Sequence, residues 1–260
     1  MNMIVLSLVA GVIGMGLGGM LTAMFGTKTD KMTSIFLSFA GGVMISIVFL
    51  ELVPEAIELS NMGIAIIGLV IGALLVFILN NIMDKLSSKR DGTKLHESFA
   101  EFFHSNEVIT RKSGMLRSGM IMLFAIGLHN IPEGLAMGAA GQHDLSLGIA
   151  LAIIIALHNI PEGMAVSVPL MVGGLSRIKS VIITAAVGAT TVLGAIVGVL
   201  IGGISDTAVA LSFAIAGGAM LYVVIGEMLP QSIVMSKDRV PTVFALLGII
   251  VGMLFIVLVY

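Results

Sequence analysis

Apolar runs at about 3–25, 34–57, 62–83, 118–140, 146–172, 180–203, 205–231 and 241–260 alternate with short polar interruptions along this chain. A bilayer core needs roughly 20 consecutive apolar residues of helix to cross it. Each run meets that length, so the pattern predicts an all-α integral membrane protein of eight transmembrane helices. The first run, Met3 to Phe25, has no positive residue before it and exceeds the length of a signal peptide, so a retained span is expected there.

Composition strengthens this picture. The 260 residues are 58% hydrophobic and only 11% charged, with 32 Gly, 19 Met and neither Cys nor Trp. A water-soluble domain carries about 25% charged residues, so a soluble fold is excluded. Without Cys there is no disulfide framework and no thiolate metal site. With a net charge of -2 and no basic tail, nucleic acid is not an expected partner; the expected partner is the bilayer.

The positions of the charges then orient the spans. All 13 Lys and Arg lie in the odd connections: Lys28 and Lys31; Lys85, Lys89, Arg90, Lys94, Arg111, Lys112 and Arg117; Arg177 and Lys179; Lys237 and Arg239. The even connections and both termini have none. By the positive-inside rule the odd connections are cytoplasmic, with both termini outside a cell (inner) membrane. Residues 1–260 read as a single transporter domain, and 84–117 as a cytoplasmic loop between spans three and four.

The spans repeat. At an offset of 176, Ala40-Gly41-Gly42-Val43-Met44 of span two falls on Ala216-Gly217-Gly218-Ala219-Met220 of span seven, and Glu51, Pro54 and Ile57 fall on Glu227, Pro230 and Ile233. At an offset of 180, Gly68 and Gly72 of span three fall on Gly248 and Gly252 of span eight. Spans one to three and six to eight therefore form inverted repeats, an architecture of secondary transporters with midplane sites. Between them lies an antiparallel pair, spans four and five, in which Leu128-His129-Asn130-Ile131-Pro132-Glu133-Gly134 recurs as Leu157-His158-Asn159-Ile160-Pro161-Glu162-Gly163. His129 lies 14 residues before His143, near the turn, and His158 lies 15 after it, so the two motifs reach similar depth.

In each motif His and Glu are four apart and Asn and Glu three apart, which places all three on one helical face. An ionised carboxylate at the bilayer centre costs about 2.5–3.5 kcal/mol on insertion scales, so Glu133 and Glu162 call for a partner, and a divalent cation supplies one. Imidazole and carboxylate without thiolate suit Zn²⁺, with Fe²⁺, Mn²⁺, Co²⁺ and Cd²⁺ also compatible. The candidate ligands are His129, Asn130, Glu133, His158, Asn159 and Glu162. The plainer alternative is a set of satisfied polar residues joining two helices, but four ionisable groups exceed what such a role needs. Pro132 and Pro161 each remove an amide proton beside a ligand, so kinks are expected there.

Other polar positions extend the picture. Glu51 and Glu55 sit near the outer end of span two, and Glu227 near the inner end of span seven, where they could recruit and release cations or act as interfacial carboxylates solvated by water. Met44 and Met220 are soft thioether candidates or core filler. In the loop, His96, Glu97, Glu101, His104 and Glu107 could form a weak metal-sensing helix, although Phe99, Phe102 and Phe103 equally mark an amphipathic surface helix. His143 and Asp144 read as a polar turn, and the glycine-rich first and sixth spans as sites of close helix packing.

These paired His-Asn-Ile-Pro-Glu-Gly motifs, with eight spans, outward termini and a loop after span three, resemble the ZIP (Zrt/Irt-like protein) family of divalent metal transporters over essentially the whole chain. The resemblance implies a midplane metal site at His129, Glu133, His158 and Glu162. It implies a second, adjacent site completed by Asn130 and Asn159 and bridged by the glutamates, and a soft ligand at Met44. It also implies a homodimer, import of zinc or iron, and an elevator-like motion. One departure stands out: where many members carry an acidic residue in the sixth span, this chain reads Gly188-Ala189-Thr190-Thr191-Val192. One strong site with a weaker or absent neighbour is the expectation.

No G-x-x-x-x-G-K phosphate loop is present, so transport is expected to run on gradients. An inside-negative potential favours divalent cation uptake by about 4.6 kcal/mol per 100 mV, twice the single-charge value. No prosthetic group is called for; the metal is cargo. A divalent cation channel remains an alternative. A membrane metallohydrolase is a weaker one, since it would need His-Glu-x-x-His, which the chain lacks, and the chain is therefore not expected to be an enzyme.

Overall fold

The computed structural model describes residues 3–26, 29–91, 108–143, 145–201 and 205–259. Those residues form eight helices long and apolar enough to cross a membrane: Met3–Phe25, Asp30–Leu59, Met62–Ile82, Gly114–Leu135, Leu151–Val172, Arg177–Leu200, Asp206–Ser236 and Val240–Val257. They match the eight apolar runs in order. The third helix continues to Asp91 and the fourth begins at Val108. His96, Glu97, Glu101, His104 and Glu107 lie outside the described residues, as does Asp144.

Local chemistry sets the helix ends. Thr29 accepts the Met32 N–H to cap the second span, and Ser205 accepts the Ala208 N–H to cap the seventh. Each cap is followed by an aspartate, Asp30 and Asp206, which suits the positive end of the helix dipole. Between spans seven and eight, Lys237 adopts a left-handed conformation (φ 56°) that ends the helix. Asp238 accepts hydrogen bonds from Ser236 Oγ and Val240 N, which hold its carboxyl below the usual aspartate range. It also meets Lys31 at 3.4 Å on the exposed surface.

The backbone carries the repeat further than sequence identity does. Spans two and seven each contain one π-helical turn, Val48–Leu52 and Val224–Met228, again 176 residues apart and just before Pro54 and Pro230. A Cβ on Gly42 would strike the Ala245 carbonyl, and one on Gly218 would strike the Leu69 carbonyl. Likewise Gly72 abuts the Ile215 carbonyl and Gly248 the Phe39 carbonyl. All four contacts interconvert at the single offset of 176, so Gly72 corresponds to Gly248. The offset of 180 inferred for spans three and eight is one helical turn out of register. Glycines spaced four apart match themselves after such a slip, which made the sequence alignment degenerate.

Packing divides the spans into two groups. Spans one, four, five and six pack on one another, through the pairs four–six, one–five, four–five and one–six. Spans two, three, seven and eight form the other group, through two–eight, three–seven and the end of seven on two. The groups meet mainly where span four faces span seven and span five faces span two. Their shared core contains Leu37, Met44, Met122, Met164, Met220 and Met228, flexible side chains suited to an irregular interface.

Two further backbone features bear on the site. Span six is broken at Ala189 into Arg177–Gly188 and Thr190–Ile201. The helices through Pro132 and Pro161 are continuous, Val108–His143 and Leu145–Val172; among the described residues the irregular turns fall in spans one, two, six and seven.

The close approaches predict a contrast in stability. Gly42→Val and Gly218→Val, which push into backbone, should each destabilise the fold by about 1–3 kcal/mol. Gly16→Ala, whose added methyl would meet only Ala185 Cβ at 3.5 Å, should be close to neutral. Thermal denaturation of the detergent-solubilised protein measures both.

Candidate metal centre

The two repeated motifs meet inside the first group of helices. His129, Glu133, His158 and Glu162 are all buried, and each offers a ligand atom such that all four lie within 4.8 Å of one another. Glu133 Oε1 is the hub, 2.7 Å from His129 Nε2 and 2.8 Å from His158 Nε2. Glu162 Oε1 lies 3.2 Å from His129 Nε2. Ligands about 2.0–2.1 Å from a tetrahedral Zn²⁺ would be separated by about 3.3 Å, which falls inside the observed range.

Hydrogen bonding leaves much of this cluster unsatisfied. His158 Nε2 and Glu133 Oε1 are aligned for a hydrogen bond at 2.8 Å. The contacts of His129 Nε2 are close but poorly aligned, and neither it nor either oxygen of Glu162 has a hydrogen-bond partner among the described residues. Glu133 Oε2 and both Nδ1 atoms are in the same position. Unpaired polar atoms in a dry interior are costly. Convergent lone pairs of imidazole and carboxylate are the donor set that a divalent transition metal satisfies.

Neighbouring spans hold these donors in place. A Cβ on Gly134, next to Glu133, would strike the Thr191 carbonyl of span six, and one on Gly163, next to Glu162, would strike the Met15 carbonyl of span one. Each glutamate is thus carried on backbone pressed against another helix. The asparagines are tied to the same two helices. Asn130 Nδ2 donates to the Val187 carbonyl at 3.4 Å, and Asn159 Nδ2 to the Ala10 carbonyl at 3.5 Å. With the amide nitrogens engaged, both Oδ1 atoms are buried without a hydrogen-bond partner and are free to accept. The Val187 carbonyl, just before the break in span six, also takes the Thr190 hydroxyl at 2.7 Å.

The remaining sequence candidates fall in distinct places. Glu51 is partly buried on span two, and its Oε2 has no hydrogen-bond partner among the described residues. Glu55 is also partly buried, and its charged neighbour is Glu58. Met44 is fully buried in the core shared by the two helix groups. Glu227 lies toward the opposite end of the protein from Glu51, 2% exposed and enclosed by hydrogen bonds from Asn80, Ser118 and Gln231. Those three partners were not singled out in the sequence. Gln231 stands one turn after Glu227, which was a usable signal, whereas Asn80 and Ser118 come from other helices.

Comparison with known proteins gives an independent line of evidence. A family model described as ZIP Zinc transporter matches residues 91–260. The chain is 31% identical over 258 residues to the zinc transporter ZupT of Corynebacterium glutamicum, covering 95% of this chain and 94% of that one. It is 33% identical over 259 residues to ZupT of Akkermansia muciniphila, covering 94% and 91% respectively. Over 118 residues, 44% of this chain and 46% of the other, it is 43% identical to the zinc transporter GufA of Myxococcus xanthus.

The geometry ranks the two carboxylates. Glu133 touches both imidazoles and Glu162 one, so Glu133→Ala should weaken Zn²⁺ binding to the purified protein more than Glu162→Ala does. Isothermal titration calorimetry of the two variants gives the order, and equal losses would contradict it.

Proposed function

Because the chain belongs to the ZIP zinc transporter family, we propose that it carries divalent transition metal cations, zinc foremost, through the membrane into the cytoplasm. Family membership makes it a transporter and not an enzyme. The observation that carries the proposal is the convergence of His129, Glu133, His158 and Glu162 on one buried point within one group of helices. The names of the ZupT relatives support zinc as cargo. Fe²⁺, Mn²⁺, Co²⁺ and Cd²⁺ are chemically compatible with the same donors.

Residues 1–260 act as one transporting unit in the cell (inner) membrane. The basic connections are cytoplasmic and both termini lie outside, following the distribution of Lys and Arg. Glu51 and Glu55 draw cations to the outer mouth. The ion then exchanges its water for the two imidazoles and two carboxylates, with Asn130 and Asn159 Oδ1 as auxiliary acceptors and the Met44 thioether as a soft donor on the approach. Spans one, four, five and six, which hold every ligand except Met44, move as a body against spans two, three, seven and eight. Glu227 receives the ion on the cytoplasmic side. The working assembly is a homodimer, as the family resemblance implies.

Reconstitution into liposomes tests this proposal. Zinc influx driven by an inside-negative potential should saturate with concentration and show counterflow, and Glu133→Ala with Glu162→Ala should reduce it to the leak of empty vesicles. Undiminished flux in the double variant would sink the assignment, and linear flux without counterflow would point to a channel.

Acidity supplies a second test. Imidazole binds metal only when neutral, and its ordinary pKa is about 6.5. Protons therefore compete with the metal, and initial zinc influx should fall as the pH on both sides is lowered from 7.5 to 5.5.

A further inference from the structure

The carboxylates of the inverted repeat occupy equivalent backbone positions yet have opposite surroundings. Glu227 is saturated: Asn80 Nδ2 donates to Oε1 at 3.2 Å, and Ser118 Oγ and Gln231 Nε2 donate to Oε2 at 3.0 and 3.1 Å. Gln231 Nε2 also donates to Ser118 Oγ, and Asn80 Nδ2 to the Tyr222 hydroxyl at 3.3 Å. Arg117 closes the network, donating from Nη2 to Asn80 Oδ1 at 3.1 Å. Asn80, Ser118, Glu227 and Gln231 are all buried.

The bonds of Ser118 and Arg117 run between the two helix groups. Arg117 and Ser118 lie on span four, the span that carries His129 and Glu133; Asn80 is on span three, and Tyr222, Glu227 and Gln231 are on span seven. Any displacement of one group against the other at this end must part Ser118 from Glu227 and Gln231, and Arg117 from Asn80.

Among the described residues the outer half shows no such network. The offset of 176 takes Glu227 to Glu51, Gln231 to Glu55, Tyr222 to Ser46 and Asn80 to Ile256. The motif offset of 29 between spans four and five takes Ser118 to Leu147 and Arg117 to Ser146. Three donors thus become an isoleucine, a leucine and a second carboxylate. Ser46 is occupied within its own helix, donating to Val43 O at 2.8 Å. Glu51 Oε2 has no hydrogen-bond partner, as expected where the donors are missing.

We propose that Asn80, Ser118 and Gln231, gathered on Glu227 and tied to Arg117, form a latch that holds the cytoplasmic mouth shut. Because the latch has no counterpart among the described residues of the outer mouth, the resting protein is biased toward the state that is closed inside. The inference rests on the alternating-access proposal above. In that scheme Glu227 is released to meet the departing ion only after Ser118 withdraws with its helix group.

The absence of Cys from the chain makes the latch testable with a single introduced thiol. Met122 is fully buried, one turn from Ser118 and two turns from His129 on the same face of span four. Labelling of Met122→Cys by a membrane-impermeant methanethiosulfonate, applied to the cytoplasmic face of inside-out vesicles without added metal, reports opening of the inner mouth. Ser118→Ala and Asn80→Leu, which remove two and three bonds of the network, should each accelerate labelling at least about tenfold, the factor expected on losing one hydrogen bond to a carboxylate. Ser118→Thr, which keeps the hydroxyl, should retain the slow rate. Equal rates in the parent, Ser118→Ala and Asn80→Leu, with all three monodisperse on gel filtration, would overturn the latch, as would fast labelling of Ser118→Thr. The readout needs no transport. If the parent carries no zinc but the labelling differences appear, the transport proposal fails and the latch stands; the reverse result separates them the other way.

Discussion

A carboxylate held away from water is the constraint around which this protein is organised. Glu133 and Glu162 lie in the interior of a chain that is 58% hydrophobic, where an uncompensated charge costs about 2.5–3.5 kcal/mol on insertion scales. Compensation requires donors or a cation at short range, and short range requires helices that approach closely. The glycine after each glutamate permits that approach, and the asparagine before each proline ties the motif to span six or span one. Removing the carboxylates would leave those glycines and asparagines without an evident purpose.

The same constraint is met differently elsewhere in the molecule. Glu227 is satisfied by protein donors alone and needs no ion while those donors are present. Glu51 keeps an oxygen without a hydrogen-bond partner among the described residues. An inverted repeat makes the two halves alike in backbone, down to the placement of their π-helical turns. Differences between the halves must then come from side chains, and the residues around these two carboxylates are one place where the halves differ.

Much of this was legible in the sequence because it is written in periodicity and identity. Eight apolar runs correspond to eight spans, and a seven-residue duplication marked the four residues that converge on one buried point. What escaped detection was non-local or degenerate. The register of span three on span eight was read one turn out, since glycines every four residues match equally well after a slip. The Glu227 network draws on three helices, and only Gln231 shares a span with the glutamate. The break at Ala189 leaves no proline to mark it. Helix continues through Pro132 and Pro161, and of the three π-helical turns two lie ahead of Pro54 and Pro230 while the one at Thr22–Gly26 has no proline to mark it.

Where the family resemblance implies an acidic side chain in span six, this protein has an interrupted helix, and Asn130 is met there by the Val187 carbonyl. That difference leaves Glu133 and Glu162 as the carboxylates that converge with the two imidazoles. Under the transport proposal above, two ionised carboxylates and two neutral imidazoles around a divalent cation would sum to zero, so the loaded site would bury no net charge in the membrane.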